Sequence, residues 1–118
     1  MPDQTGRAID PSAVALAQSQ VLKGASERQA RRLLDSLCDP SRLQIMRALR
    51  ASPLAASDLA QVIGRSRSAT SQHLRVLRDA DAVVAERHGN VVRYRLASGV
   101  NAEVLTEVCG AFDRLAAA

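Results

Sequence analysis

The segment from Ser57 to Ala80, SDLAQVIGRSRSATSQHLRVLRDA, constrains the fold of this chain more than any other. It reads as a short helix from Ser57 to Ile63, a break at Gly64 and a second helix from about Arg67 to Asp79. Turning the second helix at roughly 100° per residue sorts its side chains onto two faces. Ala69, Thr70, His73, Leu74, Leu77 and Ala80 fall on one, with Val76 at its edge. Ser68, Ser71, Gln72, Arg75 and Asp79 fall on the other, flanked by Arg67 and Arg78. The first face needs a core to pack on. The second offers hydroxyls, an amide and arginines, which bond phosphates and base edges while letting a helix lie deep in a major groove. Two helices joined through a glycine, the second with such a face, form a candidate helix-turn-helix. A merely solvated face would alternate Glu with Lys or Arg at i,i+4 spacing. Here Arg65, Arg67, Arg75 and Arg78 stand against one carboxylate, Asp79, which favours the nucleic-acid reading.

Flanking signals extend the fold in both directions. Residues 1–9 are expected to be disordered, and residues 10–118 to form a single DNA-binding and dimerisation domain. Asp10-Pro11 pairs an N-cap carboxylate with a proline suited to the first helical position. The helix it starts carries Val14, Ala17 and Val21 at core spacing and is expected to end near Gly24. Ser26 is the expected cap of the next helix, where Ala30, Leu33, Leu34, Leu37 and Cys38 make a stripe and Arg28, Arg31 and Arg32 face water. Asp39-Pro40 repeats the start signal. The helix after it carries Leu43, Ile45, Met46 and Leu49 nearly all round, which places it at the centre of the fold.

After Ala80 the hydrophobic period shortens to two. Val83 to His88 and Val91 to Leu96 flank Gly89-Asn90, a pair suited to a type II′ hairpin turn. Val92, Tyr94 and Leu96 point one way; Val91, Arg93 and Arg95 point the other. With Arg87, His88 and Arg93 near its tip, the hairpin can lie along a phosphate backbone. A helix-turn-helix followed by a basic hairpin describes a winged helix: mainly α, with one β-hairpin.

The last helix, read from about Gly99 to Ala116, carries Val100, Val104, Leu105, Val108, Cys109, Ala111, Phe112 and Leu115. That arc is wider than the stripe an amphipathic surface helix needs. The surplus points to a second copy of the chain, packed through the terminal helices.

Composition agrees where it bears on function. Hydrophobic residues make up 47% of the 118-residue chain and aromatics 2%, so the core must be aliphatic. Sixteen basic against twelve acidic residues give a net charge of +4, and the excess gathers between Arg65 and Arg78, the electrostatic footprint of a nucleic-acid binder. No apolar run reaches the roughly 20 residues of a membrane span, and no signal peptide opens the chain, so a cytoplasmic protein without a membrane partner is expected. In that compartment Cys38 and Cys109 rest as thiols, any disulfide being transient or regulatory. An enzyme is not expected: there is no Cys-x-x-Cys, no Ser/His/Asp set and no histidine beside a cysteine. No cofactor is expected either.

Taken together, LCDPSRLQIMRAL, SDLAQVIGRSRSATSQHLRVLRDADAV and ERHGNVVRYRL resemble the ArsR/SmtB family of bacterial winged-helix repressors, over about Leu34 to Leu96. The resemblance implies a homodimer built on the terminal helices, bound to a palindromic operator in double-stranded DNA and released by an inducer. It implies that Ser68, Ser71, Gln72 and Arg75 sit in the major groove and that the Arg87–Arg93 hairpin is the wing; Arg65 and Arg67 join them as DNA-binding candidates from the basic face alone. The chain also departs from the family. Asp81-Ala82 stands where Gly-Leu usually follows the recognition helix, and Asp tolerates the left-handed conformation needed there. Arsenic- and cadmium-responsive members carry Cys-x-Cys where this chain has Ala55 and Ser57, which cannot act as soft thiolate ligands. Zinc-responsive members carry histidine on the last helix, where this chain offers only Glu103, Glu107 and Asp113, a set that suits zinc poorly. Neither metal site carries over, and no metal is expected.

Cys38 and Cys109 are then the candidate sensing residues, through redox, persulfide or soft-metal chemistry. The competing reading makes both of them buried, inert small hydrophobes on apolar stripes. Arg42 is near enough in sequence to activate Cys38, though sequence alone does not position it. His73 reads as a packed helix residue. The alternative function is a winged-helix module for protein contact without specific DNA binding, but such modules tend to lose the basic helix face and wing that this chain keeps.

Overall fold

The structure is a computed structural model that describes residues 7–117. Residues 1–6 of the N-terminal stretch expected to be disordered lie outside the described residues. The chain separates into two compact units, one running up to Ala30 and the other from Arg31 onward.

In the first unit, α1 (Pro11–Gln18) starts as expected, with the Asp10 carboxylate accepting from the Ala13 amide at 3.0 Å. It ends well before Gly24. The Ser19 hydroxyl donates to the Leu16 carbonyl at 2.6 Å, offering that acceptor a partner other than the helix ladder. Val14 and Val21, expected at core positions, are exposed, as are Leu16 and Leu22. α2 (Gly24–Ser36) begins three residues earlier than a Ser26 cap would place it. Ser26 lies inside the first turn, and its hydroxyl donates to the Lys23 carbonyl at 2.9 Å.

In the second unit, α2 buries Leu33 and Ser36 but leaves Leu34 68% exposed, so the apolar stripe is narrower than the sequence implies. α3 (Pro40–Leu49), capped by Asp39, buries Ile45, Met46 and Leu49 and occupies the centre of the core. A two-residue strand, β1 (Leu54–Ala55), leads into α4 (Ala56–Ile63) and α5 (Arg67–Asp79). β2 (Val83–His88) and β3 (Val91–Leu96) form the hairpin, paired Val83 to Leu96 through His88 to Val91. Gly89 takes φ +65 while Asn90 does not have positive φ, as a type II′ turn requires. β1 pairs antiparallel with β3, Leu54 opposite Tyr94, giving the sheet order β1-β3-β2.

The expected long final helix divides into α6 (Val100–Ala111) and α7 (Asp113–Ala116) at Phe112. At the break the Cys109 carbonyl, which an unbroken helix would give to residue 113, accepts instead from the Phe112 amide at 3.2 Å and from Arg47 Nη1 of α3 at 2.9 Å. The core itself is aliphatic: Leu33, Ile45, Met46, Leu49, Leu59, Leu74, Leu77, Ala82, Val83, Leu105 and Cys109. Each large side chain buried this way contributes roughly 1.5–3 kcal/mol. Among the described residues, no helix is long and apolar enough to cross a membrane.

Candidate nucleic-acid interface

The turn between α4 and α5 is closed at both ends by backbone chemistry the sequence encodes. Gly64 takes φ +66, which lets the Arg65 amide reach the Ala60 carbonyl at 3.1 Å and the Gly64 amide reach Gln61 at 3.3 Å. This is the paired bond pattern that ends helices at a left-handed residue. Two residues later the Ser66 hydroxyl accepts from the Ala69 amide at 3.0 Å and starts α5. Such a cap is worth about 1 kcal/mol. Ser66, a capping residue type three positions before Ala69, is a signal present in the sequence but absent from the periodicity that marks α5. At the far end of α5 the same pattern recurs without glycine: Asp81 takes φ +57, its amide reaches Arg78 at 2.9 Å and the Ala82 amide reaches Leu77 at 2.8 Å. Asp81 therefore does what the resemblance required of a glycine, and Ala82, wholly buried, packs in the place of the family's leucine.

Between these ends α5 is two-faced, as its sequence predicts. Thr70, Leu74, Leu77 and Ala80 are buried, with Thr70 Oγ1 donating to the Ser66 carbonyl at 2.8 Å. Ala69 and His73 are half-buried, and Val76 lies at the exposed edge. Arg65, Arg67, Ser68, Ser71, Gln72, Arg75, Arg78 and Asp79 are all exposed. Among the described residues Arg67, Arg75 and Arg78 have no ion-pair or hydrogen-bond partner, and Arg65 reaches only the neighbouring Gly64 carbonyl at 3.4 Å.

The hairpin residues divide between two faces. The register sets Glu86 opposite Arg93 and His88 opposite Val91, so His88 and Arg93 share a face, while Arg87, opposite Val92, projects from the other. All three are exposed. On the His88 face, Arg95 Nε is held by Glu86 Oε1 at 3.0 Å, and that bond holds the Glu86 carboxyl below its ordinary range. Arg95 is thereby occupied, leaving Arg93 as the uncommitted arginine of that face.

The two thiols differ. Cys109 is buried, and burial pushes its thiol up, partly opposed by Arg50 and Arg47. Cys38 is exposed, correcting the reading that buries both. The reason is that α2 stops at Ser36, so Leu37 and Cys38 no longer follow the helical stripe. The Cys38 thiol donates to the Asp35 carbonyl at 3.1 Å, and Arg42 Nη2 lies 3.6 Å from its sulfur. Among the described residues, no group of three or more His, Cys, Asp or Glu side chains is arranged to hold a metal ion.

Comparison with known proteins gives a consistent picture. Residues 39–83, the α3–α5 segment with its flanking turns, match the model of "Bacterial regulatory protein, arsR family". The HTH-type transcriptional regulator NmtR of Mycobacterium tuberculosis is 40% identical over 89 residues, covering 75% of this chain and 74% of that one. The crystal structure of the transcriptional repressor BigR from Xylella fastidiosa superposes with a TM-score of 0.69 at 27% identity, covering 76% of this chain and 89% of that chain. The homodimeric winged helix-turn-helix DNA-binding domain of Mb0332 from Mycobacterium bovis gives 0.65 at 26% identity, covering 92% and 90%.

Proposed function

The chain belongs to the arsR family of bacterial regulatory proteins, and from that premise we propose that it is a dimeric, sequence-specific repressor that an inducer releases from a palindromic operator. The observation that carries this reading is the outer face of α5, exposed along its length and furnished with Ser68, Ser71, Gln72 and Arg75 while its inner face is locked into the core. In this reading those four side chains read base edges in the major groove, and Arg65 and Arg67 hold phosphates at the entrance to the helix. Arg87, His88 and Arg93 form the wing and bind backbone independently of sequence. Mb0332, which is homodimeric, and BigR, a repressor, support the assembly and the direction of control.

Induction works through the thiols in this reading. Cys38 is the sulfur a soluble reagent meets first, exposed and beside the Arg42 guanidinium. Cys109, on α6, becomes accessible only if that helix moves.

A gel shift on the DNA flanking its own gene, at two salt concentrations, tests the central claim. Binding preferential for one sequence and falling steeply with salt is expected; absence of binding at low salt overturns it. Peroxide or polysulfide is expected to weaken operator binding by the wild type and not by Cys38→Ser. An identical response of the two proteins removes the thiol from the account.

A further inference from the structure

The guanidinium of Arg42 bridges two elements, with two of its nitrogens on the end of α2 and the third on α5. Nε donates to the Ser36 carbonyl at 2.6 Å and Nη2 to the Asp35 carbonyl at 3.2 Å, closing the C-terminal end of α2. Nη1 lies 3.3 Å from Nδ1 of His73, in the middle of α5. Arginine has no acceptor to offer, so His73 Nδ1 must be the acceptor and its proton must sit on Nε2. Nε2 faces Asp39 Oδ1 at 3.9 Å. That carboxylate already caps α3 through the Ser41 amide at 2.7 Å, the bond chiefly responsible for holding it below its ordinary range, and it favours the proton on the nitrogen facing it. Both ring nitrogens thus face one corner of the fold, and one tautomer suits both contacts: Nδ1 accepts from Arg42, while Nε2–H points toward the Asp39 carboxylate from beyond hydrogen-bond distance.

The placement matters because of what else holds α5. Thr70, Leu74 and Leu77 anchor it, and the packing of the two leucines is strong but without direction. Rotation of the helix about its own axis is fixed far better by a directional polar bond. His73, 17% exposed at the flank of the buried face and next in sequence to Gln72, is placed to supply that bond. A small rotation of α5 would displace Gln72 and Arg75 relative to base edges, whose hydrogen bonds tolerate only a few tenths of an ångström. Arginine contacts to phosphate would re-form with little loss.

We propose that Arg42 and His73 are positioning residues for base reading, a clamp between the α2–α3 corner and α5 that sets sequence discrimination rather than overall DNA affinity. The proposal rests on the assignment of α5 as the helix that enters the groove.

Affinity for operator and for a scrambled duplex of equal length is measured for full-length wild type, Arg42→Ala, His73→Leu, the double variant and His73→Asn, each confirmed folded by circular dichroism. Arg42→Ala and His73→Leu are each expected to lower the ratio of specific to non-specific affinity roughly fivefold to tenfold, with scrambled-duplex affinity held within about twofold. The double variant is expected to lose no more than either single one, because both break the same bond. His73→Asn, which can place an acceptor near the position of Nδ1, is expected to keep most of the discrimination. The two His73 variants leave the Arg42 bonds to α2 intact, so they decide the matter even where Arg42→Ala is poorly folded. Losses that add in the double variant, losses equal on both duplexes, or Asn as damaging as Leu overturn the clamp while leaving α5 as the reading helix. A wild type that does not discriminate between the duplexes overturns both.

Discussion

Arginine serves two physical ends in this molecule, and the surroundings of each residue tell which. Arg42, Arg47, Arg50 and Arg95 are committed to carbonyls or carboxylates of their own chain, at distances from 2.6 to 3.2 Å. Arg67, Arg75, Arg78, Arg87 and Arg93 are exposed and, among the described residues, uncommitted. A guanidinium already paired must break that bond to meet DNA, whereas a solvated one exchanges only water and counterions. The two uncommitted groups should still behave differently. Arg75 projects from the middle of α5, where a bidentate contact to a guanine is worth about 1–3 kcal/mol of discrimination. Arg93 projects from the hairpin, which in the proposed reading lies along the phosphate backbone. Arg75→Ala is therefore expected to reduce preference for the operator over a mismatched site roughly tenfold. Arg93→Ala should weaken all duplexes alike and reduce the slope of log affinity against log salt by about one. Equal effects on specificity and salt slope in the two variants would contradict the division of labour between helix and wing.

At the scale of elements, the ends of helices carry most of what makes the architecture specific, and the sequence declares them unevenly. Asp10 and Asp39 before proline announce α1 and α3, and Gly64 announces the turn, because each encodes a local conformation. The boundaries of α5 and of the hairpin strands are legible for the same reason. β1 is not, since two residues carry no period and their pairing depends on Tyr94 and Arg93, 38 or more positions away. The end of α1 coincides with a local Ser19 bond that periodicity does not announce. The exposure of Val14 escapes sequence reading because a periodic pattern shows which face is apolar and not whether anything covers it. The break at Phe112 escapes it because a distant residue, Arg47, bonds the Cys109 carbonyl there. The break offers a direct test. Asp113 accepts from Arg47 at 2.8 Å and from Arg50 at 2.9 Å, and these bonds, Arg50's first, hold its carboxyl at about 2 against an ordinary 3.8. A depressed carboxylate contributes stability that is complete above its unfolded value and disappears as pH falls through its folded one. The gap in melting temperature between wild type and Asp113→Asn should hence be steady above pH 5 and close between 3.8 and about 2. A gap independent of pH would show that the ion pairs fasten nothing.

At the scale of the whole molecule, the single chain is incomplete as a folded surface. α6 buries Ala102, Leu105 and Cys109, yet Val100, Val104 and Phe112 stay exposed, and Leu115 on α7 is 68% exposed. In the first unit Val14, Leu16, Val21 and Leu22 are exposed as well. The exposed apolar surface of α6 and α7 matches what a two-fold dimer requires, since an isologous interface uses the same patch on each copy. A stable interface of this kind buries about 1,200–2,000 Å² in total. Its consequence for DNA is geometric: a two-fold pair can present its two reading helices to successive major grooves, whose centres lie about 34 Å apart, so an operator should contain two inverted half-sites about one helical turn apart. The second reading helix then binds at an effective concentration that raises affinity by roughly 10²–10⁴ over a single half-site. Val104→Glu with Leu115→Glu places charge on positions already exposed in the single chain, so the fold of each protomer should survive while the dimer does not. Sedimentation velocity is expected to show a monomer with unchanged helical content. Affinity for the two-site operator should fall by that avidity factor to the value of one half-site, with the preference for the half-site sequence retained. A variant that remains dimeric would move the interface elsewhere, and a monomer that binds the full operator undiminished would remove symmetry from the mechanism altogether.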